Sequence, residues 1–355
     1  MAYTTIDDPT IYFNTVLYAG DDSTSNAITG VGFQPDLIWI KNRSAASSHL
    51  FQDSVRGKSG SNFLFLQGND TAAESAQGDN DGVNTIGSDG FTVGYTNSVG
   101  WNASGDNYCA WNWLAGGTAS SNTDGTITST VSANTTSGFS IVSYTGTGAN
   151  ATVGHGLGTS DIGAIIFKNR DDGTRNWKVY HKALGATKQL NLNLTLAATT
   201  ETSSFNDTEP TSSVFSIGTS TDTNKNTDNI IAYCFAEKKG YSKFGSYTGN
   251  GNADGPFVYT GFKPAFVIID NINQADDWYM FDNKRSSFNQ VQANLKPNAD
   301  SAEASSTSYA LDFLSNGFKL RASTGAVNNN TDTLMYMAFA ESPFVNSNKV
   351  PNNAR

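Results

Sequence analysis

A short apolar run that ends in a turn-forming asparagine occurs three times in this chain, at residues 35–43, 162–170 and 264–271. Each copy has a continuous apolar centre, followed by a polar residue and then by Asn. A run of this length between turn signals is typical of a β-strand that is buried on both faces. The repetition therefore predicts a fold made of β-strands, in which one strand pattern recurs three times.

Two further strands recur around each copy. The strand before it ends at an aromatic residue followed by a Gly turn, and the strand that closes each unit alternates large and small side chains. The closing strands are predicted at residues 109–114, 231–237 and 335–341. Because successive side chains of a strand point to opposite faces, one face carries large residues, such as Trp111 and Trp113. The other face is mostly small, so a second layer can approach it closely.

These strands predict an all-β fold of three tandem β-sandwich-like repeats of jelly-roll type, each of roughly 100 residues. No stretch shows helical periodicity, although a turn of helix is expected at residues 72–77 and 302–304. The predicted boundaries are residues 1–116 for the first repeat with a short lead, 117–137 for a linker or small β-ribbon, 138–240 for the second repeat, 241–345 for the third repeat and 346–355 for a tail.

Composition and charge exclude some classes of partner. Hydrophobic residues make up 37% of the chain, below the usual figure of about 45–50%, whereas 12% aromatic residues argue against disorder. The net charge is −10 and Lys and Arg are not clustered, so we expect no nucleic-acid partner. The N-terminus has neither the basic nor the apolar region of a secretion signal, and the apolar runs are too short for a membrane-spanning helix. We therefore expect no signal peptide and no membrane insertion.

The two cysteines are expected to be structural. The register of the closing strands places Cys109 with Ile231 and Met335 on the large face, whereas Cys234 lies on the small face of another repeat. A disulfide requires two Cβ atoms that are close and face each other. We therefore expect two buried free thiols that behave as small apolar side chains.

The candidate catalytic and metal-binding residues carry no recognisable motif. The three histidines are isolated in the sequence: His49, His155 and His181. Two acidic loops, residues 79–82 and 171–173, have turn composition, and the first lacks the glutamate that would end an EF-hand calcium loop. No spacing pairs the acidic residues that a polysaccharide-cleaving enzyme would need, which include Glu209, Glu237, Asp276 and Asp277. We therefore expect no enzymatic activity, no metal site and no cofactor.

Exposed aromatic side chains are candidates for stacking on sugar rings. Trp101 follows Gly100 in a predicted loop and is the best candidate for a ligand-binding residue. Trp177 and Trp278 begin equivalent predicted strands, so we expect them to pack in the core instead.

Three stretches resemble a family of tandem β-domain virion proteins that marine tailed bacteriophages encode, usually described as tail-fibre or structural proteins. These stretches are residues 5–9 (TIDDP), 34–43 (QPDLIWIKNR) and 336–344 (YMAFAESPF). The resemblance covers nearly the whole chain. It implies a protein on the surface of a virus particle that is assembled in the host cytoplasm, and it implies no catalytic residues.

The leading function that this resemblance implies is a non-enzymatic tail-fibre or receptor-binding component that contacts glycan on the host surface. The expected partners are other virion proteins of the tail or capsid and the host glycan. Because fibres are commonly trimers, a homotrimer is the expected oligomer. A capsid decoration or head-fibre protein is the alternative function, and a tailspike polysaccharide depolymerase is a weaker one.

Overall fold

The structure is a computed structural model that describes residues 3–60, 62–76, 81–95, 100–323 and 325–353. Strands make up 44% of the chain and helices 5%, and the named strands pair in antiparallel fashion. The prediction of an all-β fold is therefore confirmed. None of the described helices has the length and apolar character that crossing a membrane requires.

The strands lie in three stretches of chain, which we call the first (residues 9–116), second (117–240) and third (241–345) segments. The first segment contains β1 (Phe13–Ala19), β2 (Asn26–Thr29), β3 (Leu37–Asn42), β4 (Leu50–Asp53), β5 (Lys58–Ser59), β6 (Asn62–Phe63), β7 (Phe65–Gln67), β8 (Gly82–Gly87), β9 (Gly90–Gly94) and β10 (Asn107–Trp113). The second contains β11 (Ser120–Asn122), β12 (Ser129–Asn134), β13 (Phe139–Thr145), β14 (Ala151–Gly154), β15 (Ile162–Asn169), β16 (Lys178–His181), β17 (Lys188–Asn191), β18 (Thr199–Thr200), α1 (Thr202–Phe205), β19 (Val214–Ile217), α2 (Thr221–Asn224) and β20 (Asn229–Ala236). The third contains β21 (Ser242–Thr248), β22 (Phe257–Tyr259), β23 (Phe262–Asn271), β24 (Tyr279–Asp282), β25 (Ala293–Asn294), β26 (Ala304–Ser305), β27 (Leu311–Leu314), β28 (Gly317–Leu320), α3 (Gly325–Asn328) and β29 (Thr333–Pro343).

Each segment contributes one larger sheet, which we call its inner sheet. The shared strand order is β1-β10-β3-β4 in the first segment, β13-β20-β15-β16 in the second and β21-β29-β23-β24 in the third. A smaller outer sheet covers the other face, with the orders β2-β9-β8, β14-β19 and β22-β28-β27. Two facing layers of this kind form a β-sandwich-like arrangement. Strands β11 and β12, from the stretch 117–137, extend the edge of the second inner sheet.

The three apolar runs of the sequence form the buried strands β3, β15 and β23, as predicted. The asparagine that ends each run is itself buried and forms a turn. In the first segment, the side-chain amide of Asn42 donates to Asp106 and its oxygen accepts from the main-chain N–H groups of Ser44 and Ala45. The terminal residues Asn169 and Asn271 make the equivalent hydrogen bonds.

The expected turns of helix are not present in the described residues. Residues 72–76 are extended and include a bridge from Ser75 to Phe65, and Ala304 begins strand β26; Gln77 lies outside the described residues. Both stretches instead contact the end of an inner-sheet strand in another segment, as described below, and these distant contacts override the local preference of alanine and glutamate for helix.

The centre of the molecule is a triangle of three aromatic rings, one from each inner sheet. The ring centroids of Trp113 and Phe235 are 6.0 Å apart, those of Trp113 and Phe339 are 5.6 Å apart, and those of Phe235 and Phe339 are also 5.6 Å apart. All three side chains are buried and meet edge to face, an arrangement that stabilises aromatic clusters. The core around them contains residues of all three segments, so the large faces of the closing strands pack against one another.

The small faces of the closing strands contact the outer sheets, as predicted. In the third segment, Ala338 and Ala340 of β29 lie in a core shared with Phe318 of the outer sheet. The cysteines follow the same division, because Cys109 lies in the central core and Cys234 in the outer core of the second segment. Both are buried free thiols, so this prediction is confirmed.

Each segment also extends a loop onto the next inner sheet, and we call these three contacts clasps. The main-chain N–H of Glu74 donates to the carbonyl oxygen of Arg170 at 2.7 Å, and that of Glu303 donates to Arg43 at 2.9 Å. In the third clasp, the N–H of Ala198 donates to the carbonyl oxygen of Ile272 at 3.0 Å. The clasps thus run in one direction around the ring, from the first segment to the second, the second to the third and the third to the first.

Two clasps are ionic and one is apolar. Glu74 pairs with Arg170 of the second segment at 2.7 Å and with the buried Arg56 of its own segment at 3.1 Å. Glu303 in the same way pairs with Arg43 and Arg285. In the third clasp, the uncharged Ala198 stands at the position of the glutamates and Ile272 at that of the arginines. Both side chains pack against the central core.

The central triangle predicts that all three segments unfold together. Phe339→Ala removes a ring that touches the inner sheets of the first and second segments, and we expect a loss of about 3–5 kcal/mol of unfolding free energy. The measurement is denaturant unfolding followed by circular dichroism. A variant that lost only part of the signal in a separate early transition would contradict a shared core.

The ionic clasps predict a second stability effect. Glu74→Gln keeps the size of the side chain but leaves Arg56 and Arg170 without their shared carboxylate. Because Arg56 is fully buried and Glu74 is 12% exposed, we expect a loss of about 3 kcal/mol in unfolding free energy, measured by urea denaturation. The matched control is Asp161→Asn, whose side chain is 55% exposed and pairs with Lys182, and its loss should stay below about 1 kcal/mol. Equal losses in the two variants would show that the clasp is no stronger than a surface ion pair.

Candidate recognition surface

Trp101 is not the exposed ring that the sequence analysis expects. Its side chain is 1% exposed and lies in the outer core of the first segment, where it packs edge-on against Phe65. Its carbonyl oxygen accepts the hydroxyl of Tyr18, as the carbonyls of Thr223 and Val327 accept equivalent tyrosines in the other segments. Trp101 therefore occupies a structural position beneath the loop, and stacking on an external sugar is not available to it in this conformation.

Trp177 and Trp278 pack in the central core, as predicted. The indole N–H of Trp177 donates to the carbonyl oxygen of Gln67 in the first segment at 2.7 Å, and that of Trp278 donates to Asn191 in the second at 3.1 Å. These two rings therefore join neighbouring segments, in addition to filling the core.

The acidic candidates are engaged in structural contacts. In the loop 171–173, Asp171 accepts from Asn229, and Asp172 pairs with Arg175 and Lys225. Asp79 and Asn80 of the other loop lie outside the described residues. Of the remaining acids, Glu209 accepts from Tyr180 and Ala186, Glu237 pairs with Lys182 and Lys243, and Asp277 pairs with Lys296. In the part of the chain that the structure describes, no three or more His, Cys, Asp or Glu side chains converge to hold a metal ion.

A surface cleft of about 520 Å³ lies between the first and second segments, beside Asp36 and Asn134. The Asp36 carboxylate accepts the hydroxyl of Ser54 and the main-chain N–H groups of Ala115 and Gly117. Because these donors already occupy it, Asp36 ties the segment boundary together and leaves the cleft without a free acid.

Two exposed aromatic residues lie on the outer sheet of the third segment, whereas a third, Phe288, is 80% exposed and lies in the loop between β24 and β25. Phe257 and Tyr259 alternate with the buried Val258 along β22, and they are 44% and 53% exposed. Tyr259 is paired with Gly317 on the next strand. A Cβ atom at Gly317 would lie 2.0 Å from the carbonyl oxygen of Val258, so only glycine fits there. The Phe257 ring lies over the same glycine, because its Cε2 atom would be 3.0 Å from that Cβ atom.

Two further rings from the ends of the chain extend this surface. The Tyr3 hydroxyl donates to the carbonyl oxygen of Gly261 at 2.8 Å and lies 3.2 Å from the Tyr259 hydroxyl, and the Tyr3 ring meets Phe344 edge-on. Because Tyr3 uses its single proton on Gly261, Tyr259 donates to Tyr3. Burial and the contact with Tyr259 raise the pKa of Tyr3, so its hydroxyl stays neutral. We call Tyr3, Phe257, Tyr259 and Phe344 the aromatic platform.

Paired charges line one side of the platform. Lys319 faces Phe257 across the strands and pairs with Asp254 at 2.9 Å. Arg321 pairs with Asp312 at 2.6 Å. Asp254 is 81% exposed, and these four side chains place hydrogen-bond donors and acceptors beside flat apolar rings. A surface of this kind can bind a molecule that has both an apolar face and hydroxyl groups.

The platform is specific to the third segment. Strand pairing shows that the positions of Phe257 and Tyr259 are occupied by Ala27 and Thr29 in the first segment. In the second segment, they correspond to Thr152 and Gly154. Because the shared fold has no need of rings at these positions, the rings are an addition of the third segment.

The four residues of the aromatic platform were not predicted from the sequence. The signal was available, because a glycine followed by a large apolar residue stands before or at the start of each buried strand, at residues 32–33, 156–157 and 261–262. An alignment of the three copies at this pair shows two aromatic residues, Phe257 and Tyr259, just before it in the third copy alone. The contribution of Tyr3 and Phe344 could not be read in this way, because both lie outside the repeated pattern.

Comparison with known protein families gives a match to the domain of unknown function DUF7483 over residues 8–343. The chain belongs to the DUF7483 family. No curated protein and no solved structure matches it. The matched region includes the three inner sheets and Phe257 and Tyr259 of the platform, whereas Tyr3 precedes it and Phe344 follows it.

The three histidines of this DUF7483 protein are buried in neutral form. The Nδ1 atom accepts a hydrogen bond in each: from the indole of Trp39 in His49, from the N–H of Leu157 in His155 and from the N–H of Ala183 in His181. Protonation would remove this acceptor. Burial lowers the pKa of all three imidazoles, and that of His181 falls to about 4.

This burial predicts a loss of stability in acid. The unfolded chain binds a proton at His181 near pH 6.5, whereas the folded chain does so near pH 4, so the stabilisation is complete above about pH 6.5 and is lost as the pH falls to about 4. The shift corresponds to about 3 kcal/mol for this residue. Urea unfolding across this range should show a smaller acid loss in His181→Gln than in the parent protein. Parallel curves for the two proteins would contradict the assignment.

Proposed function

We propose that this protein is a non-enzymatic component of a bacteriophage particle surface that binds host-surface glycan through the aromatic platform. The exposed rings of Phe257 and Tyr259 support this function. A sugar ring presents C–H groups on its face and hydroxyl groups at its edge, and the platform offers flat rings beside paired charges. The phage assignment itself rests on the sequence resemblance described above.

Removal of a platform ring is expected to weaken glycan binding without unfolding the protein. An aromatic contact contributes about 0.5–1.5 kcal/mol beyond its buried area, so Tyr259→Ala and Phe257→Ala should each weaken binding by up to about tenfold. The binding assay is a glycan array, followed by titration of the purified protein with surface polysaccharide from marine bacteria.

The matched control is Thr29→Ala, which changes the equivalent position in the first segment. It should bind as the parent protein does, and all variants should retain the parental melting temperature. Equal binding by Tyr259→Ala and the parent protein would remove the platform from the proposal.

Location on the particle tests the rest of the proposal. Immunogold labelling of intact particles at the tail supports the receptor-binding function, and antibodies to the platform should then block adsorption. Labelling at the head supports a capsid decoration protein instead. The release of new reducing ends from host polysaccharide would show a depolymerase and contradict a non-enzymatic function.

A further inference from the structure

The three inner sheets place an ionisable side chain at the same position beside the central core. Strand pairing sets Lys41 opposite Cys109, Lys168 opposite Ile231 and Asp270 opposite Met335. Each of these three residues precedes the asparagine that ends the buried strand. Two copies thus have a cation at a position where the third has an acid.

In the first two segments, the lysine ammonium group is held by main-chain carbonyl oxygens at a clasp. Lys41 donates to the carbonyls of Asn42 and Asp300 at 2.7 and 3.1 Å. Lys168 donates to the carbonyls of Asn169 and Thr71, at 2.9 and 3.0 Å, and to that of Arg175 at 3.0 Å. The clasp geometry therefore collects carbonyl oxygens around a positive charge.

Equivalent backbone positions exist at the third clasp. Thr71 lies three residues before Glu74, and Asp300 lies three residues before Glu303; these two glutamates donate the clasp hydrogen bonds. At the third clasp Ala198 is the donor, and the residue three positions before it is Thr195. Arg175 lies two residues before the tryptophan that precedes β16, and the matching residue before β24 is Asp276.

The side chain at the centre of this third clasp is an acid without a counter-charge. Asp270 is 1% exposed, and its Oδ2 atom has no hydrogen-bond partner among the described residues. Asp276 lies close by, because a Cβ atom at Gly325 would be 3.8 Å from its Oδ2 atom and the carbonyl oxygen of Gly325 accepts from Asn271, the residue after Asp270. A buried carboxylate with an unpartnered oxygen is strongly destabilising, so such a group either takes up a proton or binds a cation.

No lysine or arginine of the described residues supplies that cation. Neither Asp270 nor Asp276 forms an ion pair in this part of the chain, and the nearby Lys296 is paired with Asp277 at 2.6 Å. Asp332 contributes a further negative charge beside Asp276. The third clasp therefore has more acidic than basic groups, and their oxygen atoms can act as metal ligands.

We propose that Asp270 and Asp276 bind a calcium ion at the clasp between the second and third segments, with main-chain carbonyl oxygens completing its coordination. Calcium takes carboxylate and carbonyl oxygens in flexible numbers, which suits two acids and a set of carbonyls. The ion takes the place that the ammonium groups of Lys41 and Lys168 fill at the other two clasps. The site is separate from the aromatic platform and does not depend on glycan binding.

Thermal unfolding of the full chain in calcium chloride and in EDTA tests the proposal. A ligand that binds only the folded state raises the melting temperature, so calcium should raise that of the parent protein by a few degrees relative to EDTA. Magnesium should have a smaller effect, because it demands a tighter octahedral geometry. Calorimetric titration should give one calcium ion per chain.

Two substitutions of Asp270 separate calcium binding from a purely structural role. Asp270→Asn should abolish the calcium response. Asp270→Lys copies the first two segments, so it should abolish the response and melt in EDTA at or above the temperature of the parent protein. The control is Asp254→Asn, an exposed acid of the same segment, which should keep the full calcium response.

Three results would overturn the proposal. They are a parent protein whose melting temperature is the same in calcium and EDTA, an Asp270→Asn variant with the parental calcium response, and a response to sodium or potassium that equals the response to calcium. The last result would replace calcium with a monovalent cation.

Discussion

The mutual contact of Trp113, Phe235 and Phe339 is the constraint on which the rest of this structure depends. Each ring belongs to a different inner sheet, and each is buried only because the other two sheets are present. This explains why the closing strands alternate large and small residues. The large residues must reach the centre, whereas small ones such as Ala338 leave room for the rings of the outer sheet. A segment alone would expose its whole inner face to water, so the segments form one cooperative structure.

The side chains of the clasps differ between the three similar segments. Asp53, Arg56 and Glu74 form a buried ionic network that ends on Arg170 of the second segment. The corresponding residues of the second segment are His181, Leu184 and Ala198, and the side chain that they meet in the third segment is Ile272 rather than arginine. The charged residues of the other two clasps are thus absent from both sides of this one. A single unmatched charge buried there would destabilise the fold, so the apolar residues on the two sides of this clasp suit each other.

The sequence predicts the local structure well and the assembly of the segments poorly. The buried strands and the register of Cys109 with Ile231 and Met335 follow from patterns of fewer than about ten residues, which side-chain alternation determines. The common core depends on contacts between distant parts of the chain, and no local pattern encodes these. The same limit explains the error at Trp101, because its ring is buried against Phe65, which is distant in the sequence.

The positions at which one segment differs from the other two are better guides to function in this chain than the shared residues. The inner sheets, the turn-forming asparagines and the tyrosine hydroxyl contacts recur in all three segments because the fold requires them. The third segment differs from the other two at two places. Phe257 and Tyr259 expose rings that the fold does not need, and Asp270 stands at the position where each of the other two segments has a lysine. Both departures are unfavourable for stability in isolation, since one exposes apolar surface and the other buries an acidic group whose Oδ2 atom has no hydrogen-bond partner among the described residues. We propose a different partner for each: a molecule with an apolar face and hydroxyl groups for the rings, and a hard cation for the acid.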